Sequence, residues 1–353
     1  MRYALLLSPS ANRVYADQAP RLAVAELAVF AHRALRTPVE DAKPRTIAGV
    51  DYLGFAAREP LTGRDVAYLS NLSGAYALFE EAGHDPDGGP WPLLRPVELN
   101  PLAYYDDDLV TIPKYAGKTN EQFTRLLLNV TVLASDRADG MLQRRLVVLD
   151  PLCGRGTTLN QALRYGYDAI GVELDTGHFE SYGAFLRTYL RRKRLKHTVR
   201  LEPVRRQRKR VARRMTATLA PTKEAYRAGD VQTVTVLHAD TRLAGDLLRA
   251  GCCDVIVTDT PYGVAHGSRT TPSGSPSRHP RELLEEAVPG WVRLLRRGGA
   301  AGLAFNTHVV ARDEVAELVT RHGLEVVEGP GYGDLSHWVD QSITRDVLVA
   351  RKP

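Results

Sequence analysis

The sequence predicts a doubly wound α/β fold, in which helices cover both faces of a mainly parallel sheet. Runs of β-branched and aliphatic residues at positions 146–150, 169–173 and 254–258 are typical of strands buried on both faces. Segments with helical spacing separate these runs, and such alternation predicts parallel strands joined by right-handed crossovers. Each run also ends at or next to an acidic residue. Because ligands of such sheets bind beyond the carboxyl ends of the strands, we expect the site there.

Further strands and a helix complete the predicted second domain, residues 101–353. A turn at residues 296–299 precedes one strand, and Gly323 closes an amphipathic helix over residues 309–322. The remaining strands are predicted at residues 233–237, 300–305, 324–328 and 343–350.

Residues 1–100 predict a small α+β domain. The Gly- and Pro-rich residues 87–92 are typical of a linker to the second domain. Strand-like runs are found at residues 3–7, 46–50 and 52–56, and helical stretches at residues 23–36 and 72–82.

Composition limits the class of protein. A chain of 353 residues with 44% hydrophobic content can bury a substantial core and is long enough for about two domains. The longest apolar run near the start, residues 3–7, is too short for a signal-peptide core or a membrane span, so we expect a cytoplasmic protein. The number and spacing of the three cysteines indicate neither a disulfide framework nor a zinc site, and no metal is expected.

A glycine turn joins the first of these strands to a helix. Residues 150–157 read Asp-Pro-Leu-Cys-Gly-Arg-Gly-Thr, and glycine allows both a tight turn and close approach of main chain to a ligand. Glu173 lies nineteen residues beyond Gly154 at the next strand tip, where a carboxylate can accept both hydrogen bonds of a ribose diol. A dinucleotide fingerprint would add a glycine near Leu159, and none is present. We therefore predict a nucleoside cofactor; a purely structural turn is the alternative.

A third strand tip adds an acid to the predicted cofactor site. Residues 233–237 run into Asp240, which is placed to accept a hydrogen bond from an adenine amine. The candidate cofactor-binding residues in these segments are Asp150, Cys153, Gly154, Gly156, Thr157, Thr158, Glu173, Leu174, Asp240 and Thr241.

Three of these motifs together resemble class I S-adenosylmethionine-dependent methyltransferases. They are residues 150–157, residues 171–175 and the Asp-Thr-Pro-Tyr-Gly run at 259–263. Within that class the chain is most similar to the THUMP-associated tRNA guanine methyltransferases, which modify the 2-amino group. The resemblance covers the chain from about residue 112 to its end. It implies a seven-stranded Rossmann-like sheet with a reversed last strand, and S-adenosylmethionine as cofactor.

The resemblance also implies roles for two further segments. Residues 114–123 are similar to a segment that covers the methionine end of the cofactor, which adds Lys118, Thr119 and Asn120 to the cofactor-binding set. Residues 1–100 correspond to a region that helps to hold the RNA in that family. No sequence signature for this role is visible here.

The run at residues 259–262, here called the acidic tip, supplies the implied catalytic residues Asp259, Thr260, Pro261 and Tyr262, and Asp259 also belongs to the candidate cofactor-binding set. An aryl amine is a poor nucleophile because its lone pair is delocalised into the ring. The resemblance implies that the Asp259 carboxylate and the Thr260 carbonyl accept its two hydrogens and so favour the pyramidal, nucleophilic form. Tyr262 would stack on the base, or else belong to the core. The family pattern has proline at position 260, so we expect this loop to depend more on its packing.

Charge is unevenly distributed along the chain. Residues 191–214 hold thirteen Lys or Arg and one acid, a local charge of +12 against +6 for the whole chain. This part of an insertion at residues 191–229 predicts a solvated helix or mobile loop that binds phosphates without reading sequence; an exposed arginine-rich helix is the alternative. The candidate nucleic-acid contacts are Arg191, Arg192, Lys193, Arg194, Arg205, Arg206, Arg208, Lys209 and Arg210.

Residues 264–279, rich in turn formers, predict a flexible loop over the substrate. His266 is a candidate base contact and Arg269 a candidate phosphate contact, and a solvated loop is the alternative for both. Three functions stay open. The first is methylation of guanine in tRNA, the second methylation of DNA, a small molecule or a protein amide, and the third RNA binding without catalysis.

Overall fold

The computed structural model of the chain describes residues 1–84, 88–115, 117–143, 146–261 and 280–353. Short 3-10 turns occupy Ala138–Gln143 and Thr241–Leu243. The helices are α1 (Arg13–Arg33), α2 (Gly63–Leu69), α3 (Asp108–Thr111), α4 (Glu121–Ala134), α5 (Thr157–Arg164), α6 (Thr176–Arg192), α7 (Lys223–Ala228), α8 (Ala244–Leu247), α9 (Pro280–Leu294) and α10 (Arg312–Arg321). The strands are β1 (Arg2–Leu7), β2 (Val39–Ile47), β3 (Val50–Ala57), β4 (Ala75–His84), β5 (Pro92–Val97), β6 (Val147–Asp150), β7 (Asp168–Glu173), β8 (Lys196–Arg206), β9 (Lys209–Ala220), β10 (Gln232–His238), β11 (Cys253–Asp259), β12 (Leu295–Asn306), β13 (Glu325–Val326), β14 (His337–Asp340) and β15 (Ile343–Arg351).

The C-terminal part of the chain forms one large sheet with the strand order β13-β15-β12-β11-β6-β7-β10-β9-β8, and β14 pairs with β15. The strands β12, β11, β6, β7 and β10 run parallel, as the sequence predicts. The strand β15 runs antiparallel to β12, which confirms the reversed last strand. The seven strands from β13 to β10 thus form the predicted doubly wound, Rossmann-like sheet.

The strand order reverses between β6 and β11. From β6 the chain adds β7 and β10 on one side, and from β11 it adds β12 on the other. Such a switch point leaves a crevice beyond the carboxyl ends of the two central strands, where ligands of this fold bind. Asp150 ends β6 and Asp259 ends β11, so the two candidate halves of the site share this crevice.

The N-terminal residues form a five-stranded antiparallel sheet with the order β2-β3-β1-β4-β5. The predicted α+β character is confirmed, but two boundaries differ from the prediction. The helix α1 begins at Arg13, and Pro20 lies inside it. Proline usually marks a helix boundary, which is why the spacing predicts a later start. Residues 72–82, predicted as helical, instead contain most of the strand β4, because pairing with β1 and β5 overrides the local pattern.

The predicted linker lies inside this N-terminal sheet. The strand β5 pairs with β4, so residues 88–92 connect two strands of one sheet rather than two domains. Gly- and Pro-rich turns look alike in sequence whether they join strands or domains.

A buried polar network joins the N-terminal sheet to the large one. Glu26 on α1 is fully buried and accepts hydrogen bonds from the Ser73 hydroxyl at 2.6 Å and from Asn129 Nδ2 on α4 at 2.7 Å. The Tyr165 hydroxyl donates to Asn129 Oδ1 at 2.8 Å. Burial raises the pKa of the Glu26 carboxyl. Because buried polar groups need their partners, this network fixes the N-terminal domain against the helices behind the site.

The basic insertion is a β-hairpin, which corrects the prediction of a helix or mobile loop. The strand β9 pairs antiparallel with β10, and β8 pairs with β9, so the hairpin extends the large sheet at its edge. Met215, Ala217 and Leu219 are buried and alternate with the partly exposed Thr216 and Thr218. This period of two is a strand signal, and the surrounding arginines obscure it in the sequence.

Candidate active site

Asp259 lies at the carboxyl end of β11 with its side chain 16% exposed. The Thr119 hydroxyl donates to its Oδ2 at 2.8 Å. Thr119 belongs to residues 114–115 and 117–120, here called the strap, which precede α4. The strap therefore reaches the acidic tip, and the structure brings together two segments that lie far apart in the sequence.

Arg345 forms an ion pair with Asp259, its Nη2 lying 3.3 Å from Oδ2. It stands on β15, is 5% exposed, and places its guanidinium 4.3 Å from the ring centre of Phe123. A nearby guanidinium offsets part of the cost of burying a carboxylate. Arg345 was not among the site residues predicted from the sequence. The available signal was a charged pair, Arg345 and Asp346, inside the otherwise apolar run 343–350.

Thr260 is 3% exposed and is fixed to the neighbouring strand β12. Its backbone N–H and its hydroxyl both donate to the Ala304 carbonyl at 2.9 Å. Proline has no N–H, so the residue expected from the family pattern would lose the first of these bonds. The rigidity that proline would give is replaced here by two hydrogen bonds.

The rest of the acidic tip is described only in part. Pro261 is exposed next to Thr260. Tyr262, His266 and Arg269 lie outside the described residues, so their predicted roles as stacking, base and phosphate contacts stay predictions.

Asp150 is buried beside the acidic tip and is 4% exposed. Its Oδ1 accepts hydrogen bonds from the Thr258 hydroxyl at 2.9 Å and from the Leu152 backbone N–H at 3.1 Å. The pKa of this carboxyl is raised to about 6, mainly by burial and also by the Asp259 charge, against hydrogen bonds from Thr158, Leu152 and Thr258 that lower it. A buried acid with a raised pKa in a crevice is typical of a functional site.

The glycine turn has the conformation that the sequence predicts. Gly154 and Gly156 have φ angles of +52° and +80°, a region that disfavours side chains. A Cβ on Gly156 would lie 2.3 Å from the Tyr182 ring, whereas the space above Gly154 is open. Gly156 is therefore needed for packing, and Gly154 is where main chain can approach a ligand.

Close packing of α5 on the sheet depends on a glycine in the strand. A Cβ on Gly171 would lie 2.8 Å from Leu159 Cδ1 and 2.7 Å from Cys153 Sγ. In a dinucleotide-binding fold, a glycine in the helix allows this close packing of helix on strand. Here Gly171 of β7 allows it instead. The absence of glycine near Leu159 therefore does not by itself distinguish the two kinds of cofactor.

Glu173 stands at the tip of β7, close to the glycine turn. Its carboxylate accepts a hydrogen bond from the Asp175 backbone N–H at 2.6 Å. Burial raises the pKa of Glu173, while a hydrogen bond with the Gly154 backbone lowers it. A carboxylate in contact with the glycine turn has the placement expected of a ribose-diol acceptor. Leu174, the next residue, is 66% exposed and offers an apolar surface beside it.

Asp240 and Thr241 are occupied by partners within the protein. Asp240 forms a bidentate ion pair with Arg242, which is why the pKa of Asp240 is lowered. Thr241 is 5% exposed, and its hydroxyl accepts a hydrogen bond from the Trp291 indole at 3.0 Å. Thr241 thus has a packing role, and an adenine amine would have to share Asp240 with Arg242.

Two predicted cofactor residues of the strap have structural partners. Lys118 Nζ donates to the Val110 carbonyl at 2.7 Å and pairs with Glu121. Asn120 caps α4 and donates from Nδ2 to Ser10 Oγ at 3.1 Å, which brings the N-terminal domain to the strap. Among the three predicted strap residues, only Thr119 contacts the described part of the acidic tip by its side chain.

The strap also contacts the glycine turn through Tyr115 and Arg155, which were not among the predicted site residues. The Tyr115 hydroxyl lies 3.0 Å from Thr157 Oγ1 in the first turn of α5. The Arg155 guanidinium lies 4.9 Å from the centre of the Tyr115 ring, a distance suited to a cation–π interaction. The strap therefore contacts both the glycine turn and the acidic tip.

The nine basic residues predicted to contact nucleic acid fall into two groups. Arg205, Arg206, Arg208, Lys209 and Arg210 are exposed at the turn of the hairpin. The second group lies at the end of α6 or just after it, beside the opposite ends of the strands: Arg191, Arg192, Lys193 and Arg194.

Within the described ranges, no helix has the length and apolar character needed to span a bilayer.

Comparison with known proteins finds likeness in fold alone. No protein-family model and no curated protein sequence matches the chain. TrmN from Thermus thermophilus is 13% identical over 100% of both chains, with a TM-score of 0.43. A TehB-like SAM-dependent methyltransferase from Corynebacterium glutamicum is 19% identical, covering 61% of this chain and 84% of that one, with a TM-score of 0.33. Precorrin-6y C5,15-methyltransferase from Geobacter metallireducens is 14% identical over 72% and 99%, with a TM-score of 0.39.

Proposed function

We propose that this protein is an S-adenosylmethionine-dependent methyltransferase that methylates the 2-amino group of guanine in tRNA. The observation that carries the proposal is the meeting of three features at the switch point. An open glycine turn lies next to Glu173, a buried Asp150 stands beside it, and the strap joins the turn to Asp259. This arrangement would hold a nucleoside cofactor at the glycine turn and a planar amine next to it at Asp259.

The residues of the turn fit the proposed cofactor. The open space above Gly154 admits a ligand against main chain, and the Glu173 carboxylate can accept hydrogen bonds from a ribose diol. When bound, S-adenosylmethionine supplies a methyl group on a positively charged sulfur. Asp150, when ionised, adds negative charge at the crevice, which favours a positively charged ligand.

The acidic tip would activate the amine by position. Asp259 is held by Thr119 and Arg345, and Thr260 by Ala304, so both are fixed before substrate binds. We infer that the Asp259 carboxylate and the Thr260 carbonyl accept the two amine hydrogens. The nitrogen lone pair would then be directed at the methyl group that the bound cofactor supplies, and the Asp259 carboxylate, which would already hold one amine hydrogen, would accept the proton that the methylated amine releases. Preorganised acceptors of this kind account for much of enzymatic rate enhancement.

The basic insertion supports a nucleic acid as the substrate. Five exposed basic residues at the hairpin turn lie beyond the carboxyl ends of the parallel strands, as Asp259 does. Such a surface binds phosphates with strong dependence on salt.

A second candidate is an RNA-binding protein that holds the cofactor without transferring its methyl group. One observation favours it: the carboxylate of Asp259 already has Arg345 and Thr119 as partners. An amine would have to bind this carboxylate in addition to them.

Transfer of labelled methyl groups to bulk tRNA, genomic DNA and lysate protein separates these functions. We expect label in tRNA, with 2-methylguanosine in the digested product, and loss of transfer by at least about 10²-fold in Asp259→Asn. The control is Asp313→Asn, which changes an exposed acid on α10 and should leave transfer intact. Label confined to DNA or protein would contradict the proposal, and cofactor binding without transfer to any of the three would select the second candidate.

A further inference from the structure

The hairpin turn projects beyond the edge of the sheet that holds the candidate active site. The strand β9 runs antiparallel to β10, and Arg213 lies opposite His238, the last residue of β10. The chain from Arg213 back to the turn at Arg208 therefore extends past the end of β10. At about 3.4 Å per residue, the turn stands roughly 17 Å beyond that end. Residues 205–210 are here called the hairpin tip.

The hairpin tip is a defined turn rather than a loose loop. Gln207 and Arg208 have φ angles of +48° and +65°, as the two central residues of a type I′ turn require. The Arg206 guanidinium lies 3.6 Å from the Asp246 carboxylate on α8, an exposed contact between the tip and the body of the domain. A fixed turn presents its side chains at a constant place relative to the site.

Like charges face one another across the hairpin tip. Arg205 lies opposite Arg210, and Arg206 opposite Lys209. Like charges directly across an antiparallel pair repel and destabilise it. All four residues and Arg208 are exposed. An anionic ligand with several phosphates would remove this repulsion, so the arrangement itself indicates a polyanion.

The other end of the basic segment, residues 191–196, lies far from the candidate active site. Lys196 lies opposite Ala220 at the start of the hairpin, on the edge remote from the site, and α6 ends beside it. An eleven-residue strand such as β8 is about 35 Å long, so the two ends cannot form one patch. There Lys193 pairs with Asp106 at 2.7 Å and with Asp108 at 2.6 Å.

We propose that the hairpin tip binds the phosphate backbone of the substrate RNA several nucleotides away from the modified base. The strand β9 lies four positions from β11 in the sheet, which is roughly 19 Å at about 4.8 Å per strand. Together with the projection of roughly 17 Å beyond the end of β10, this places the hairpin tip roughly 25 Å from the acidic tip, or about seven nucleotides at about 3.4 Å per nucleotide. This inference rests on the proposed function for the nature of the polyanion.

Two matched variants of the full chain test the proposal. The tip variant carries Arg205→Gln, Arg208→Gln, Lys209→Gln and Arg210→Gln. The control variant carries Arg191→Gln, Arg192→Gln, Arg194→Gln and Lys196→Gln at the other end, all exposed as well. Both lose the same charge, and Arg206 and Lys193 are left intact because each has an ion-pair partner. Cofactor affinity and circular dichroism verify that both are folded.

Affinity for tRNA is measured by fluorescence anisotropy between 50 and 200 mM salt. We expect the tip variant to bind at least about tenfold more weakly at 50 mM salt. The slope of log affinity against log salt concentration should also become shallower by up to about four neutralised phosphates, because fewer counterions are released. The control variant should bind nearly as the wild type does. In methyl transfer, the tip variant should show a raised KM for tRNA with kcat retained.

Each other outcome has a defined meaning. Equal binding by wild type and tip variant would overturn the proposal, and so would equal loss in both variants, since bulk charge would then suffice. Tighter binding of a DNA duplex than of tRNA would overturn RNA as the partner. If the wild type binds tRNA through the tip but transfers no methyl group to it, the proposed function fails and the docking role stands.

Discussion

Two aspartates at opposite ends of the strand β11 show how one sheet separates stability from function. Asp254, near the start of β11, is fully buried and lies 2.9 Å from Arg137 and 2.6 Å from Arg296. It also accepts the Val147 backbone N–H at 2.8 Å. Asp259, at the other end, is partly exposed, has Arg345 and Thr119 as partners, and neighbours the buried Asp150. Asp254 stabilises the amino-terminal end of the strand, and Asp259 faces the crevice at its carboxyl end.

The comparison predicts that the same substitution affects catalysis at only one of the two ends. Asp254→Asn should lower the free energy of unfolding by about 2–4 kcal/mol, because two arginines lose their counterion. Since both arginines are partly exposed, water limits the loss. Cofactor affinity should stay near the wild-type value. Asp259→Asn should instead lower transfer by at least about 10²-fold, and it should also cost some stability because Arg345, which is 5% exposed, loses its counterion. Urea unfolding and calorimetry measure both, and a stable Asp254→Asn protein without cofactor binding would contradict the separation.

Arg345 is expected to act on the reaction through Asp259. Arg345→Lys keeps the charge but loses the planar group that lies over Phe123 and pairs with the carboxylate. Because a displacement of about 1 Å can cost about 10²-fold in rate, we expect kcat to fall by roughly that factor with cofactor affinity unchanged.

Arg296→Lys supplies the matched control for this substitution at the Asp254 end, where it should leave kcat unchanged. A fall in cofactor affinity as large as the fall in kcat for Arg345→Lys would show that Arg345 serves packing instead.

The pH dependence of cofactor binding sharpens the comparison through Asp150. Its pKa is raised to about 6 by burial, so the carboxyl is neutral below that pH and ionised above it. The groups that face it are Thr158, Thr258, the Leu152 N–H and Asp259. An ionised Asp150 attracts a positive sulfonium and not the neutral sulfur of S-adenosylhomocysteine.

We therefore expect the affinity for S-adenosylmethionine relative to S-adenosylhomocysteine to rise severalfold, up to about tenfold, from pH 5 to pH 7. Calorimetric titration of both ligands measures the ratio. In Asp150→Asn the ratio should be independent of pH, and a wild-type ratio that is equally flat would remove Asp150 from contact with the sulfonium.

The sequence predicts the parts of the site that are local. The strands, the glycine turn and the acids at the strand tips follow from patterns of a few residues, and the structure places them as expected. The partners of those acids do not follow from such patterns. Arg345 meets Asp259 only because β15 folds back beside β12, and Arg242 occupies Asp240 by a contact that spacing alone does not reveal. The hairpin was missed because charge density hid a strand alternation.

The smallest expected effect concerns Thr260, where the chain departs from the pattern of the family that it resembles. Thr260→Pro restores that pattern but removes the N–H and the hydroxyl that donate to Ala304. Because the Ala304 carbonyl would then be buried without these donors, we expect a loss of about 1–3 kcal/mol in stability. Since proline keeps the carbonyl that would accept from the amine, kcat should change by less than about tenfold. Thr260→Val, which loses only the hydroxyl, should be milder in stability. A large loss of kcat in Thr260→Val would mean that the hydroxyl itself takes part in substrate binding.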